Sequence, residues 1–326
     1  MSFEYPKVSN CLVYKKHNEE FVEITDYLTD EVYYLEKEAA EYIKKLDGKT
    51  NPYHIETTLS ENEIDDLVEE LYECGLLKDS NKTVCGGGTV MRAIWEPKWT
   101  STLKLVAYIF NSLLMLLWLP VLIAGIVVFR NNVDIIGSEM AWMGIVIGLA
   151  AGIILHEFGH AFAGASYGAK VFEMGLMTMW YVVPGAYVIL DEKNVRKRMK
   201  RVQIYAAGVE VNLLLTGIFL ILCAIFEDYG GMFLNAAIQN AFLAALNLTL
   251  IQGFDGMSIM SELLGTEDAS TIAADVIFNS EKKKSLKKHG IAGSTTIAAC
   301  YMLCAFRIAL PVLLILNVLE VVVCFI

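Results

Sequence analysis

Hydrophobic residues fall into two regimes along this chain, and the change comes near residue 100. Before it, apolar positions alternate with polar ones or recur every three to four residues; after it, they form runs long enough to span a bilayer. Residues 8–36 read as short strands: CLVYKKHNEEFVEITD has two β-rich stretches around a polar turn at His17-Asn18, and EVYYL follows Thr29-Asp30. From Lys37 the period becomes helical. KEAAEYIKKLDG ends at Gly48, Asn51-Pro52 opens a second short helix, and Ser60 caps a third, SENEIDDLVEELYECGLL. Glu63 stands at the capping-box position of that helix and Gly75 near its end. Residues 1–80 are thus expected to form a small α+β domain of winged-helix type. Residues 81–100, with CGGG at 85–88 and tryptophans at Trp95 and Trp99, read as a linker whose aromatics sit where a membrane interface begins.

Beyond the linker, spans are expected at about 102–129, 140–166, 203–226 and 232–254. The stretch 291–326 reads as one long tilted helix or two shorter segments, so the chain is expected to be a mainly α polytopic membrane protein of five to six transmembrane helices. Between the second and third spans, 167–190 is apolar but broken by Gly175, Pro184 and Gly185. It reads as a re-entrant β-rich loop, because irregular backbone at membrane depth must be buried in protein or line a cavity. Such a loop either offers an edge strand to an extended substrate or is a plain interfacial connection.

Composition agrees with this division. The chain is 55% hydrophobic with a mean hydropathy of +0.47, which excludes an ordinary soluble protein. The net charge of −11 belongs to the first 80 residues, which hold 8 lysines against 20 Asp/Glu; the rest is near neutral. That portion gives no reason to expect nucleic acid as a partner, while its acidic surface either suits a basic peptide or simply keeps the domain solvated. Six Lys/Arg lie in 191–201 and five lysines in 282–288, whereas the loops 130–139 and 227–231 contain only Arg130. The positive-inside rule then places the N-terminal domain, 191–201 and 267–290 in the cytoplasm of a multi-pass cell-membrane protein. The lysine run also suits anionic lipid. Seven irregularly spaced cysteines suggest neither a disulfide framework nor a cysteine metal site. MSFEYPKVSN lacks a basic n-region with an apolar core, so no cleavable signal peptide is expected.

The chemistry concentrates at HEFGH, residues 156–160, near the cytoplasmic end of the second span. On a helix, positions i and i+4 share a face, so His156 and His160 can bind one metal ion. Glu157 beside them is placed to take a proton from a water that the metal activates. Ionisable groups are costly within a bilayer, so two histidines and a glutamate in one turn point to zinc rather than to structure. The other histidines (His17, His54, His289) lie in segments expected to be soluble, so a third ligand should be a carboxylate. Asp255, in NLTLIQGFDG at the cytoplasmic end of the fourth span, is the best candidate; the alternative is a helix-terminal Asp-Gly turn.

HEFGH in one span and Asn247-x₇-Asp255-Gly256 in a later one resemble the site-2 protease family of intramembrane zinc metalloproteases. Asn247, Phe254, Asp255 and Gly256 fall in register with that family's pattern, while Leu250 stands where proline is usual. AAGVEVN (206–212) is similar to its A-G-P-x-x-N segment, with Val209 in place of proline. The resemblance spans roughly residues 100–260. It implies a zinc ion held by His156, His160 and Asp255, Glu157 as general base, and Asn212 and Asn247 near the site helping to hold substrate or intermediate. It also sets the catalytic core at 101–265, leaving 266–326 as a basic segment and C-terminal membrane region.

Residues 5–78 resemble the PqqD-like domain, the recognition element of enzymes that process ribosomally made, modified peptides. That likeness implies a leader peptide bound as an added strand beside the third helix. By position, Val32, Tyr33, Tyr34 and Leu35 with Ile64, Leu67 and Leu71 would border the groove, unless they are plain core. The combined expectation is a zinc protease that cleaves a leader-bearing, bacteriocin-like peptide near the cytoplasmic face, alongside a co-encoded modifying enzyme or exporter. The rival expectations are cleavage of a membrane-anchored regulator, or a non-catalytic immunity or export factor.

Overall fold

The computed structural model describes residues 5–29, 31–77, 82–85, 89–132, 140–179, 183–250, 253–264, 269–288 and 290, with scattered positions in 293–305. The chain divides into two compact units. One comprises the residues up to Trp99 together with Lys170–Asp191; the other holds Thr100–Ala169 and the residues from Glu192 onward. Most of the segment 291–326, expected to be one or two membrane helices, lies outside the described residues.

The first unit begins with an antiparallel meander: β1 (Leu12–Lys16), β2 (Phe21–Asp26) and β3 (Glu31–Glu36), in that spatial order. Helix α1 (Lys37–Ile43) follows, then a 3-10 turn at Pro52–His54 capped by Asn51, then α2 (Glu61–Glu73). The second expected helix is thus a single turn. Ser60 and Glu63 form the reciprocal capping box at the start of α2, and Gly75 turns the chain beyond its end at φ +70°. Ile24, Tyr42, Ile43, Ile64, Leu67 and Leu71 meet in the core between strands and helices. Of the two readings offered for the helix residues, groove or plain core, burial favours core: Ile64, Leu67 and Leu71 are 3%, 8% and 2% exposed, so they offer no side chain to a peptide. The apolar face of α2 is consumed in holding the helix to the sheet. On β3, by contrast, Val32 and Tyr34 are 48% and 55% exposed.

The stretch expected to be a linker carries β4 (Lys82–Cys85) and β5 (Thr89–Trp95), and the broken apolar segment carries β6 (Val171–Met179) and β7 (Val183–Leu190). Together they form a four-stranded antiparallel sheet in the order β4-β5-β6-β7. The pairing of β5 with β6 joins residues some 80 positions apart, for example Met91 with Met177. Such a partner is invisible to local periodicity, which is why 89–95 looked like a linker. Cys11 and Tyr27 of the meander pack against Phe172, Tyr187 and Ile189 of this sheet. The Tyr27 hydroxyl donates to the buried Asp191 carboxylate.

The second unit is helical: α3 (Ser101–Asn132), α4 (Ala141–Tyr167), α5 (Arg198–Ile225), α6 (Gly230–Asn247), α7 (Asp255–Leu264), α8 (Ala269–Phe278) and α9 (Ser280–Lys287). Among the described residues, α3, α4 and α5 are long and apolar enough to cross a membrane. Helix α3 leaves Leu105, Ile109, Leu113 and Leu116 exposed, as a lipid-facing helix does. The fourth expected span, 232–254, is not one helix. Helix α6 stops at Asn247 after 18 residues, about 27 Å, and Gly253 at φ +95° redirects the chain before α7 begins at Asp255. Helix α5 lies centrally, packed against α3, α4, α6 and α7. Close packing of α4 rests on Gly144, Gly148 and Gly152: a Cβ at Gly144 or Gly148 would fall within 2.7 Å of α6 backbone atoms. Without a hydrophobic drive between helices in lipid, small residues that let backbones approach are the main route to tight packing.

Candidate metal centre

The glycine stripe of α4 continues into the candidate ligands. Gly144, Gly148, Gly152, His156 and His160 recur at i+4, so the face that admits α5 and α6 also carries both imidazoles into the helix bundle. The two histidines are 5% and 7% exposed. Their Nε2 atoms lie 3.1 Å apart, and Asp255 Oδ2, at the first residue of α7, lies 3.0 Å from one and 3.3 Å from the other. Three donors at the corners of a tetrahedron around zinc, with bonds of about 2.0–2.1 Å, stand about 3.3 Å apart. The spacing fits that ion.

The other ring nitrogens fix which atoms can bind. His160 Nδ1 lies 2.7 Å from the Ile204 carbonyl, an acceptor only, so Nδ1 carries the proton and Nε2 presents a lone pair. His156 Nδ1 lies 2.6 Å from Asn212 Oδ1. The orientation of that amide is itself fixed. Asn212 Nδ2 donates to the Gly152 carbonyl and to Asn240 Oδ1, both at 3.2 Å, and Asn240 Nδ2 donates to the carbonyls of Gly148 and Ala236. Backbone carbonyls therefore set Asn240, which sets Asn212, which sets His156. Both asparagines are 0% exposed. Such outer hydrogen bonds orient a metal-binding imidazole and raise its basicity.

Two further observations test whether a metal suits this place. Asp255 Oδ2 is buried and has no hydrogen-bond partner, facing two nitrogens that present lone pairs. Three acceptors converging without a proton between them call for a cation. Secondly, α5 passes the imidazole edges at Gly208. A Cβ there would stand 2.5 Å from His160 Nε2 and 2.6 Å from His156 Nε2, so only glycine leaves the room. Among the described residues, His156, His160 and Asp255 form the group able to hold a metal ion.

The remaining expected residues fall as follows. Glu157 is half-buried on α4, next to His156. Asn212 joins the cluster through His156. Asn247 ends α6 with its amide nitrogen donating to the Leu243 carbonyl one turn earlier, at 3.1 Å. Asn240, seven residues before it, is the buried amide of the network, and the sequence reading missed it. Its one signal was the cost of an asparagine in an apolar helix.

Comparison with known proteins bears on the same segment. Residues 144–230 match Peptidase family M50, a stretch that includes HEFGH and Asn212 and ends before Asp255. The chain is 32% identical over 74 residues to "Putative peptide zinc metalloprotease protein YydH" of Bacillus subtilis (strain 168). That similarity covers 23% of this chain and 29% of the relative, so the chain matches less than a third of the relative's length. No solved structure matches. The family's description is of a peptidase and the relative's printed name is of a zinc metalloprotease, and together they support zinc as the metal.

Proposed function

We propose that this chain is a membrane-embedded zinc metallopeptidase that cleaves, near the cytoplasmic face, the leader-bearing precursor of a ribosomally made, modified peptide. The observation that carries this reading is the convergence of His156 Nε2, His160 Nε2 and Asp255 Oδ2 within 3.3 Å of one another. Zinc, when bound there, polarises the scissile carbonyl and lowers the pKa of the attacking water. The chain's own residues do the rest. His156, His160 and Asp255 hold the ion; Asn240 and Asn212 keep His156 in the binding tautomer. Glu157 takes the proton of the attacking water and delivers it to the leaving amine nitrogen. Asn247, at the end of α6, is assigned to contact with the substrate.

The meander supplies recognition. Strand β3 is an edge of its sheet, with Val32 and Tyr34 exposed, so an extended leader adds beside it as a further strand. Tethering the leader to this domain raises its effective concentration at the metal. The basic segments 191–201 and 282–288 keep the domain in the cytoplasm.

A Glu157→Gln chain, which keeps the ligands and lacks the base, serves as a trap in the producing cell. The reading expects a leader-bearing peptide to be recovered on it. Recovery of a membrane-anchored regulator instead would keep the chemistry and overturn the substrate. Unchanged peptide processing by Glu157→Ala would overturn the enzymatic reading itself.

A further inference from the structure

Helix α7 is short, ten residues, yet it must deliver Asp255 to within bonding range of two histidines on another helix. Its start is set by a tight connection: a Cβ at Gly256 would fall 2.4 Å from the Leu248 carbonyl, so α7 begins hard against the end of α6. That contact fixes one end and leaves the tilt of the helix open. The other end carries Glu262, whose two carboxylate oxygens accept from Arg201 Nε and Nη2, both at 2.7 Å. Arg201 Nη1 donates in turn to the Val195 carbonyl at 2.7 Å. Both side chains are about four-fifths buried, at 21% and 20% exposure.

The spacings on the two helices match. Asp255 and Glu262 are seven residues apart on α7, and Gly208 and Arg201 are seven apart on α5. Seven residues are close to two turns, so each pair shares a face and is separated by about 10.5 Å along its axis. One rung between α5 and α7 is the metal cluster, where Gly208 gives room to the imidazoles that face Asp255. The other rung is the Arg201–Glu262 fork. Two rungs in matching register define the position and tilt of α7; a single rung would leave it free to pivot.

We infer that Arg201 and Glu262 are positioning residues for the metal centre, clamping α7 so that Asp255 is held at its bonding place before the ion arrives. The inference rests on the zinc reading above. It gives Arg201, one of six basic residues in a run that otherwise marks topology, a second task that lysine cannot perform. A point ammonium makes no bidentate fork.

The test is zinc affinity of the full-length chain in detergent, by chelator competition, with the visible absorption of bound cobalt(II) reporting ligand geometry. Glu262→Gln and Arg201→Lys should each weaken binding by about 10- to 100-fold, the range seen when groups supporting a ligand are removed. Both should also shift the cobalt spectrum. The exchanged pair Arg201→Glu with Glu262→Arg should recover most of the affinity. Single variants that bind like the wild type would overturn the clamp, and so would an exchanged pair no better than the singles. Should a single variant fail to fold, the exchanged pair decides alone: near-native affinity supports the clamp, and a folded chain with weakened affinity overturns it. A wild-type chain that binds no zinc would instead refute the metal centre, a distinguishable failure.

Discussion

Replacing Gly208 with alanine adds one methyl group at the point where α5 passes the two imidazoles. From the backbone, that carbon would lie 2.5 Å from His160 Nε2 and 2.6 Å from His156 Nε2. Carbon and nitrogen in contact prefer about 3.5 Å, so either α5 or the rings must give by about 1 Å. A metal site tolerates about 0.2 Å in its bond lengths, so the displacement is about five times what the site can absorb. The rings also have little freedom, because Asn212 and the Ile204 carbonyl hold their far sides. Gly208→Ala is therefore expected to lower zinc affinity by at least about 100-fold, the upper end for a supporting-group loss, since it disturbs two ligands at once. Chelator competition on the detergent-solubilised chain measures this. Gly217→Ala is the control, placing a Cβ 2.6 Å from the Val121 carbonyl elsewhere on α5. It should lower the melting temperature and keep zinc. Native affinity in Gly208→Ala would refute the reasoning that the glycine exists to admit the ligand pair.

Three other outcomes follow from the same geometry. Glu157→Gln should retain one zinc per chain and lose about 10²- to 10⁴-fold in peptide cleavage, the usual contribution of a general base, measured by mass spectrometry of the processed precursor. Asn240→Leu removes the amide that orients Asn212; zinc affinity should fall about 10- to 100-fold although Asn240 touches no ligand, as measured by the same competition. In the meander domain, backbone amides of Thr50 and Lys49 hold the Asp47 carboxyl below its ordinary 3.8, and the Ser60 hydroxyl and amide hold Glu63 below 4.5. A depressed folded pKa stabilises above the unfolded value and is lost as pH falls through the folded one. Hydrogen exchange of residues 37–77 in the full chain should therefore be flat from pH 7 to 5 after correction for intrinsic rates, and lose protection below about pH 4. Asp47→Asn should shrink that loss.

How much of this was legible in the sequence depends on the range of each interaction. The pairing of His156 with His160 needs only one helical turn, so HEFGH showed it at once. Asp255 lies about 100 residues away and was reached through topology and a family likeness, since no local pattern connects it to the histidines. Asn240 was missed because a lone amide in an apolar helix has no motif; its role depends on facing Gly148 and Asn212 across two helix interfaces. The sheet formed by β5 and β6 was hidden for the same reason, and the glycines of CGGG suggested a linker where a strand follows. Arg201 shows a different limit. The positive-inside rule counted its charge as part of a basic segment, but the fork it makes with Glu262 depends on the placement of α7. The domain likeness also put Ile64 and Leu67 beside a groove by position alone, which does not say which wall an apolar helix face meets.

Zinc K-edge X-ray absorption on the purified full-length chain, compared with His156→Ala and Asp255→Ala, tests the central claim most directly. One zinc per chain should appear with only nitrogen and oxygen neighbours at about 2.0–2.2 Å and with imidazole outer-shell scattering, and both variants should lose metal or ligands. A sulfur neighbour at about 2.3 Å, or a wild-type spectrum from the His156→Ala chain, would contradict a centre built from His156, His160 and Asp255.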